Sequence, residues 1–248
     1  MKNLTTLILF LLCSFSLFAQ EVEFKYKLPL NQIMKIQTNI QMDFNIKQQP
    51  ITMDMVMKGN IQAIKFENDQ YTLESNTNAI KVIMDLGETS FEYDSENPKD
   101  DPFSKQFEEQ MKPILSTKTT AITSSKGELI DLKMHESQDK LQNMLKNLTN
   151  GVTFPSKKLV PGEVWKNEIN SDNLFLEMSN QYINKTEQGY LIETTIKIVD
   201  DQQNPIGTVT GKYTLDAISH YPILFDSLTE LEVEGKVVKS KMRYTITL

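Results

Sequence analysis

Residues 33–65 read IMKIQTNIQMDFNIKQQPITMDMVMKGNIQAIK. Met34, Ile36, Thr38, Ile40, Met42, Phe44 and Ile46 share one parity, and Lys35, Gln37, Asn39, Gln41, Asp43 and Asn45 take the other. A period of two predicts a strand with one apolar face and one wet face. After Lys47-Gln48-Gln49-Pro50 the alternation resumes with Ile51, Met53, Met55, Met57, Gly59, Ile61 and Ala63. At ~3.3 Å per residue each strand runs to roughly 45 Å, against a usual strand of about 5–6 residues. Strands of that length twist and coil, so the sheet they belong to wraps around something. The expected fold is mainly β (α+β). It is a large, strongly curved antiparallel sheet or half-barrel built from two β halves, with two helices packed on the concave side.

The N-terminus reads as an export signal. Lys2 is a short basic region, Leu4 to Leu12 is apolar, and Ser14 to Ala19 leads to a cut before Gln20. The apolar run is too short for an ordinary membrane helix. The expected organisation is therefore a signal peptide over 1–19 and a single domain over 20–248. That domain divides into a β half at 20–97, a helix-hairpin-helix middle at 98–153 and a β half at 154–248. Cys13 is the only cysteine and leaves with the signal, so the mature chain has no disulfide, no thiol nucleophile and no thiolate ligand. Loss of Lys2 moves the net charge from −7 to −8, one positive charge fewer. An acidic chain without a basic block argues against nucleic acid and against anionic membrane surfaces. No second long apolar run follows, so no transmembrane segment is expected in the mature chain.

Along the rest of the chain, Glu23 to Lys27 alternates like a short first strand. Tyr71, Leu73, Ser75 and Thr77 continue the sheet after a polar turn, and the apolar parity then switches at Ala79-Ile80, which predicts a bulge. Asp100-Asp101-Pro102 is a helix start, and Phe103, Phe107, Met111 and Ile114 share a stripe up to Pro113, where the helix is expected to end. Thr117 to Lys133 reads as a hairpin around Ser124-Ser125-Lys126-Gly127. A second helix is expected from a cap at Ser137 to Asn150-Gly151, with Leu141, Met144, Leu145 and Leu148 inward. From Trp165 onward the pattern is strands again, punctuated by Gln188-Gly189, Gln203-Asn204-Pro205 and Glu234-Gly235. The two β halves share a layout. In each, a turn (Leu28 to Asn31, Val160 to Glu163) introduces a long strand and a tyrosine (Tyr71, Tyr190) opens a later one.

The stretch FPSKKLVPGEVWK at 154–166, with Phe154, Pro155, Val160, Gly162 and Trp165, resembles a signature of secreted Bacteroidota-type proteins of unknown function. The resemblance implies no activity and no catalytic residues. In layout the chain also resembles carriers of the LolA and LolB type, a curved antiparallel sheet with helices on its concave side; this is a likeness of architecture, not of motif.

Catalytic chemistry is hard to assemble. His135 and His220 are far apart, and Ser219, His220 and Asp226 lack a nucleophile elbow or oxyanion loop, so His220 reads as part of a surface turn. There is no phosphate-binding glycine loop, and neither Asp100-Asp101 nor Asp200-Asp201 has the spacing of a calcium site. The expectation is no enzyme, no cofactor and no metal. Trp165 reads as a buried anchor of the second β half rather than a binding-site aromatic.

What remains is methionine. Met34, Met42, Met53, Met55 and Met57 crowd the apolar faces of two adjacent strands. Methionine fills ordinary cores and is also over-used on surfaces that accept varied apolar partners. The candidate ligand-binding residues are Met42, Phe44, Met53, Met55 and Met57. The function expected is non-catalytic: an exported periplasmic or extracellular protein that binds a lipid, acyl chain or other apolar ligand in a Met-rich cleft. The alternative is a structural or interaction protein of the cell envelope with a fully packed core.

Overall fold

The structure, a computed structural model, describes residues 21–46, 49–134, 152–171, 174–233 and 236–247. The signal region and the second expected helix lie outside the described residues. The two predicted long strands are β1 (Ile33–Ile46) and β2 (Gln49–Glu67), followed by β3 (Gln70–Asp85) and a short β4 (Ser90–Asp94). Helix α1 (Pro102–Ser116) precedes the hairpin β5 (Lys118–Ser124) and β6 (Leu129–Met134). The C-terminal half supplies β7 (Val164–Ser171), β8 (Leu174–Lys185), β9 (Tyr190–Asp200), β10 (Pro205–Leu215), β11 (Pro222–Val233) and β12 (Lys236–Thr247). Pro205 and Pro222 each open a strand, where a missing N–H is tolerated.

All twelve strands form one antiparallel sheet in the order β6-β5-β3-β2-β1-β12-β11-β10-β9-β8-β7, with β4 pairing β3. The two halves meet at β1 and β12, whose register runs from Lys35 opposite Thr247 to Asp43 opposite Lys239. Register is reinforced on the wet face by opposite charges placed directly across from each other. Arg243 Nε lies 2.6 Å from Asp226, Lys212 is 2.7 Å from Glu193, and Lys239 is 2.8 Å from Glu230. Being exposed, these pairs specify alignment more than they stabilise it. The predicted bulge is present: Lys58 pairs with Ala79 and Gly59 with Thr77, leaving Asn78 extra. Gly59 is required there, because a Cβ would collide with the Asn76 carbonyl oxygen.

The sheet is rolled but not closed into a barrel. In a flat sheet the first and last strands of this order would stand about 48 Å apart at the usual strand spacing. Yet the Phe154 N–H donates to the Lys126 carbonyl (2.8 Å) in the β5–β6 turn, while its ring lies 6.3 Å from that of Trp165 on β7. Likewise the Tyr26 N–H donates to the Ser125 carbonyl (2.7 Å), and its ring sits 5.0 Å from Tyr221 in the β10–β11 turn. A residue can touch both places only if the sheet curls around it.

The segment that fills the roll was expected to be a strand. Residues 23–29 pair with no strand; Val22 makes one isolated bridge to Leu159. Phe24, Tyr26 and Leu28 still alternate, and all three are buried inside the roll. Phe24 packs on Phe154, Tyr182, Tyr190 and His220, each with ring centres 5.2–5.4 Å away. The Leu28 N–H donates to the Tyr71 hydroxyl, which donates in turn to the Tyr26 carbonyl, both at 3.2 Å. The period of two here reports an extended chain with one buried side, without a ladder.

Among the described residues there is one helix. Asp101 caps α1 as expected, accepting the Ser104 N–H at 2.9 Å. Pro113 does not end it: α1 continues to Ser116, and the Thr117 hydroxyl donates to the Pro113 carbonyl. In the last turn a proline removes one backbone bond, which the helix tolerates. Phe103 stacks on Phe91 (4.7 Å) and Phe107 on Tyr93 (5.2 Å), so the helix covers β3 and β4 on the concave side.

The turns before β1 and β7 are built alike. Asn31 (φ 62°) donates its N–H to Ala63 of β2, and Gly162 (φ 91°) donates its N–H to Tyr182 of β8. The left-handed backbone explains an asparagine and a glycine at those places.

Candidate functional site

Strand parity and register together define the inner face of the roll. Met42, Met53 and Met84 lie in one row across β1, β2 and β3; Phe44 pairs with Ile51 one row further on. On the other side of the first row, Thr38 and Met57 align with Ile80, Tyr244, Phe225, Tyr213, Ile192 and Tyr182. This aromatic row belongs to the packed end of the roll, with Tyr213 stacked on Phe225 at 4.0 Å.

Between these two rows lies a third. Its first part is Val82, Met55, Ile40 and Met242, on β3, β2, β1 and β12. It continues as Ser227, Gly211, Thr194, Asn180 and Trp165, on β11, β10, β9, β8 and β7. A cavity of about 1020 Å³ is lined by Met55, Ile40, Met242, Ser227, Gly211 and Thr194 of this row and by their strand neighbours, which include Asp54, Glu193, Lys212, Asp226, Lys241 and Arg243. A second space of about 300 Å³ lies under the end of α1, between Ile114 and Thr117 of the helix region and Ile36 and Met57 of the sheet. No acidic or basic side chain occupies the three inward rows among the described residues; Glu193, Lys212, Asp226 and Arg243 have the opposite parity and pair on the wet face.

The five residues singled out in the sequence thus share one face, but not one cavity wall. Met55 lines the larger space and Met57 the smaller, while Met42 and Met53 face each other in the next row, and Phe44 lies beyond them. All five are half-buried. Phe103 and Phe107 cover β4 instead of the methionines, and Leu141 and Leu145 lie outside the described residues. Sequence reading missed Ile40, Met242, Ser227 and Thr194. Ile40 was visible in the alternation of β1, but the others lie more than 130 residues from Met55 in the chain, and only the β1–β12 pairing brings them onto its row.

His220 is a correction. It is 6% exposed and has a left-handed backbone (φ 54°), and its ring packs on Phe24 and Tyr190 inside the aromatic end of the roll. A turn whose residues are polar reads as surface, but here the N-terminal segment lies over it. Ser219 donates to Asp216 (2.8 Å), not to His220, and Asp226 is on the outer face with Arg243, so no triad forms. Nδ1 of His220 accepts the Lys25 N–H (3.3 Å). Burial, and then the charge of Lys27, lower its pKa from the ordinary value. The unfolded chain therefore takes up this proton first as pH falls through about 6.5, and stability drops. Thermal melts at pH about 7.5 and about 5.5 are expected to show a larger fall for the wild type than for His220→Asn, which tolerates the left-handed backbone. Parallel falls would count against this assignment.

Nearby, buried Tyr26 packs on the half-buried Tyr221, which shares a hydrogen bond with the half-buried Tyr244. Burial pushes the Tyr221 hydroxyl up to about 12 and raises Tyr26 and Tyr244 well above the ordinary value, so all are neutral donors. Among the described residues no three His, Cys, Asp or Glu side chains group as metal ligands would, and no helix is long and apolar enough to cross a membrane.

No protein-family model and no curated protein matches the chain. Solved structures similar to it include a "putative outer membrane lipoprotein-sorting protein domain" from Vibrio parahaemolyticus, at 8% identity and a TM-score of 0.30 over 86% of this chain and 83% of that one. A DUF1329 family protein from Desulfovibrio piger is similar at 8% identity and a TM-score of 0.19, with the same coverage. Likenesses of this size carry no argument about function, which rests on the cavity itself.

Proposed function

We propose that this chain is a non-catalytic carrier that holds a lipid, an acyl chain or another apolar ligand within the rolled sheet. The observation that supports the reading is the cavity of about 1020 Å³ whose lining includes Met55, Ile40 and Met242. A space of that size is at the upper end of ordinary small-molecule sites, and flexible methionine side chains adapt to varied apolar shapes. Met42, Met53 and Phe44 extend the apolar surface toward the β1–β2 turn, and Met57 connects it to the space under α1. The N-terminal pattern supports export to the periplasm or the exterior. The envelope interaction reading draws on a different observation: β6 and β7 end the sheet order, with Ile130 and Val164 exposed on them.

Native mass spectrometry of protein purified from its own envelope, with uptake of an apolar fluorescent dye by delipidated protein, separates the two. The carrier is expected to show an added lipid-sized mass and saturable dye uptake. A bare chain mass without dye uptake would leave the interaction protein as the better account.

A further inference from the structure

β7 ends the sheet order, and among the described residues no strand lies beyond it. Its register with β8 runs without a break from Val164 opposite Gln181 to Ser171 opposite Leu174. The Glu163 carbonyl, just before the strand, accepts the Tyr182 N–H at 3.0 Å. Backbone bonding in an antiparallel pair alternates residue by residue. The odd-numbered residues of β7 therefore bond β8, and Val164, Lys166, Glu168 and Asn170 turn their N–H and C=O groups to the open edge. Such an edge is a template for another strand unless a proline or a bulge blunts it. β7 has neither.

Its charges point to the partner. Lys166 and Glu168 are exposed on the wet face, two residues apart. Glu168 stands opposite Glu177 of β8, a like-charge pair that costs stability. None of Lys166, Glu168 and Glu177 makes an ion pair among the described residues. Elsewhere on this face cross-strand charges are matched, as at Lys212–Glu193 and Arg243–Asp226. At the other end of the sheet, Asp131 and Lys133 of β6 pair with each other at 3.6 Å.

We infer that β7 is the interface of a two-fold dimer, in which it pairs antiparallel with β7 of a second copy about Asn167. Each Lys166 then faces the second copy's Glu168 in a hydrogen-bonded position, and each Glu168 gains a cation on the side away from Glu177. On the other face Trp165 stands opposite Ile169. Sliding the strands by one hydrogen-bonded pair would set Lys166 against Lys166 or Glu168 against Glu168, so charge selects the register. The contact is isologous, so it closes at two copies. It uses the rim of the sheet and does not depend on the carrier reading.

The test is sedimentation velocity over a concentration series at low ionic strength. The wild type is expected to move from monomer to dimer as concentration rises. Lys166→Glu and Glu168→Lys, each folded by circular dichroism, are expected to associate at least about tenfold more weakly, since two attractions become two repulsions. An equimolar mixture of the two variants is expected to dimerise again, because each supplies the charge that the other lacks. A wild type that stays monomeric throughout overturns the inference, as do single variants that dimerise like the wild type. A mixture that stays monomeric overturns the register, and species growing beyond the dimer overturn the two-fold pairing.

Discussion

Met55→Asp is expected to remain folded by circular dichroism and to lose uptake of an apolar dye or a co-purified lipid by well over tenfold. Met55 is half-buried, points inward from β2 and lines the large cavity. In a packed core the new carboxylate would be stranded, at a cost of several kcal/mol, comparable with the stability of a whole domain of about 5–15 kcal/mol. At the wall of a cavity water reaches it in the empty protein, so the melting midpoint should fall only modestly. Ligand binding is then hit directly, because an apolar chain would have to dehydrate the carboxylate. Unfolding of the variant would count for a solid core and against the carrier.

Trp165→Ala should be the most destabilising single change, about 3–5 kcal/mol, as truncation of a buried aromatic costs. Trp165 is 6% exposed; its ring lies near Phe154 and its indole N–H donates to the Thr153 carbonyl at 2.8 Å. That bond ties β7, one edge of the sheet, to the segment whose Phe154 reaches the β5–β6 turn near the other edge. The substitution removes packing, leaves the Thr153 carbonyl without its indole donor and loosens the tie that holds the roll at this end. Denaturant melts followed by far-ultraviolet circular dichroism would show the lowered midpoint; an unchanged midpoint, or wild-type fluorescence typical of water, would refute the anchor role.

Thr194 and Ser227 sit on strands β9 and β11, among threonines and serines that in sequence look like ordinary strand polar positions. Only when their parity is traced through five ladders to Ile40 and Met55 do they fall on the same inward row.

Local alternation by itself determined the strands: β1 spans the alternating run 33–46, β2 carries the alternation of Ile51 to Ala63 and runs on to Glu67, and strands follow one another from Val164 onward, because side chains on a pleated strand must alternate. Bulge chemistry at Asn78, the Asp101 cap and the anchoring of Trp165 were legible for the same reason, since each depends on neighbours in the chain or on a single large apolar side chain. Tertiary structure alone decided the rest. The alternation of Phe24, Tyr26 and Leu28 is that of a strand, yet the segment lies inside the roll, since what it packs against comes from β8, β9 and the β10–β11 turn. His220 became buried because that segment covers it. The cavity exists because β1 pairs with β12, joining residues some 200 positions apart, and no local pattern encodes which distant strand supplies the other half of a face.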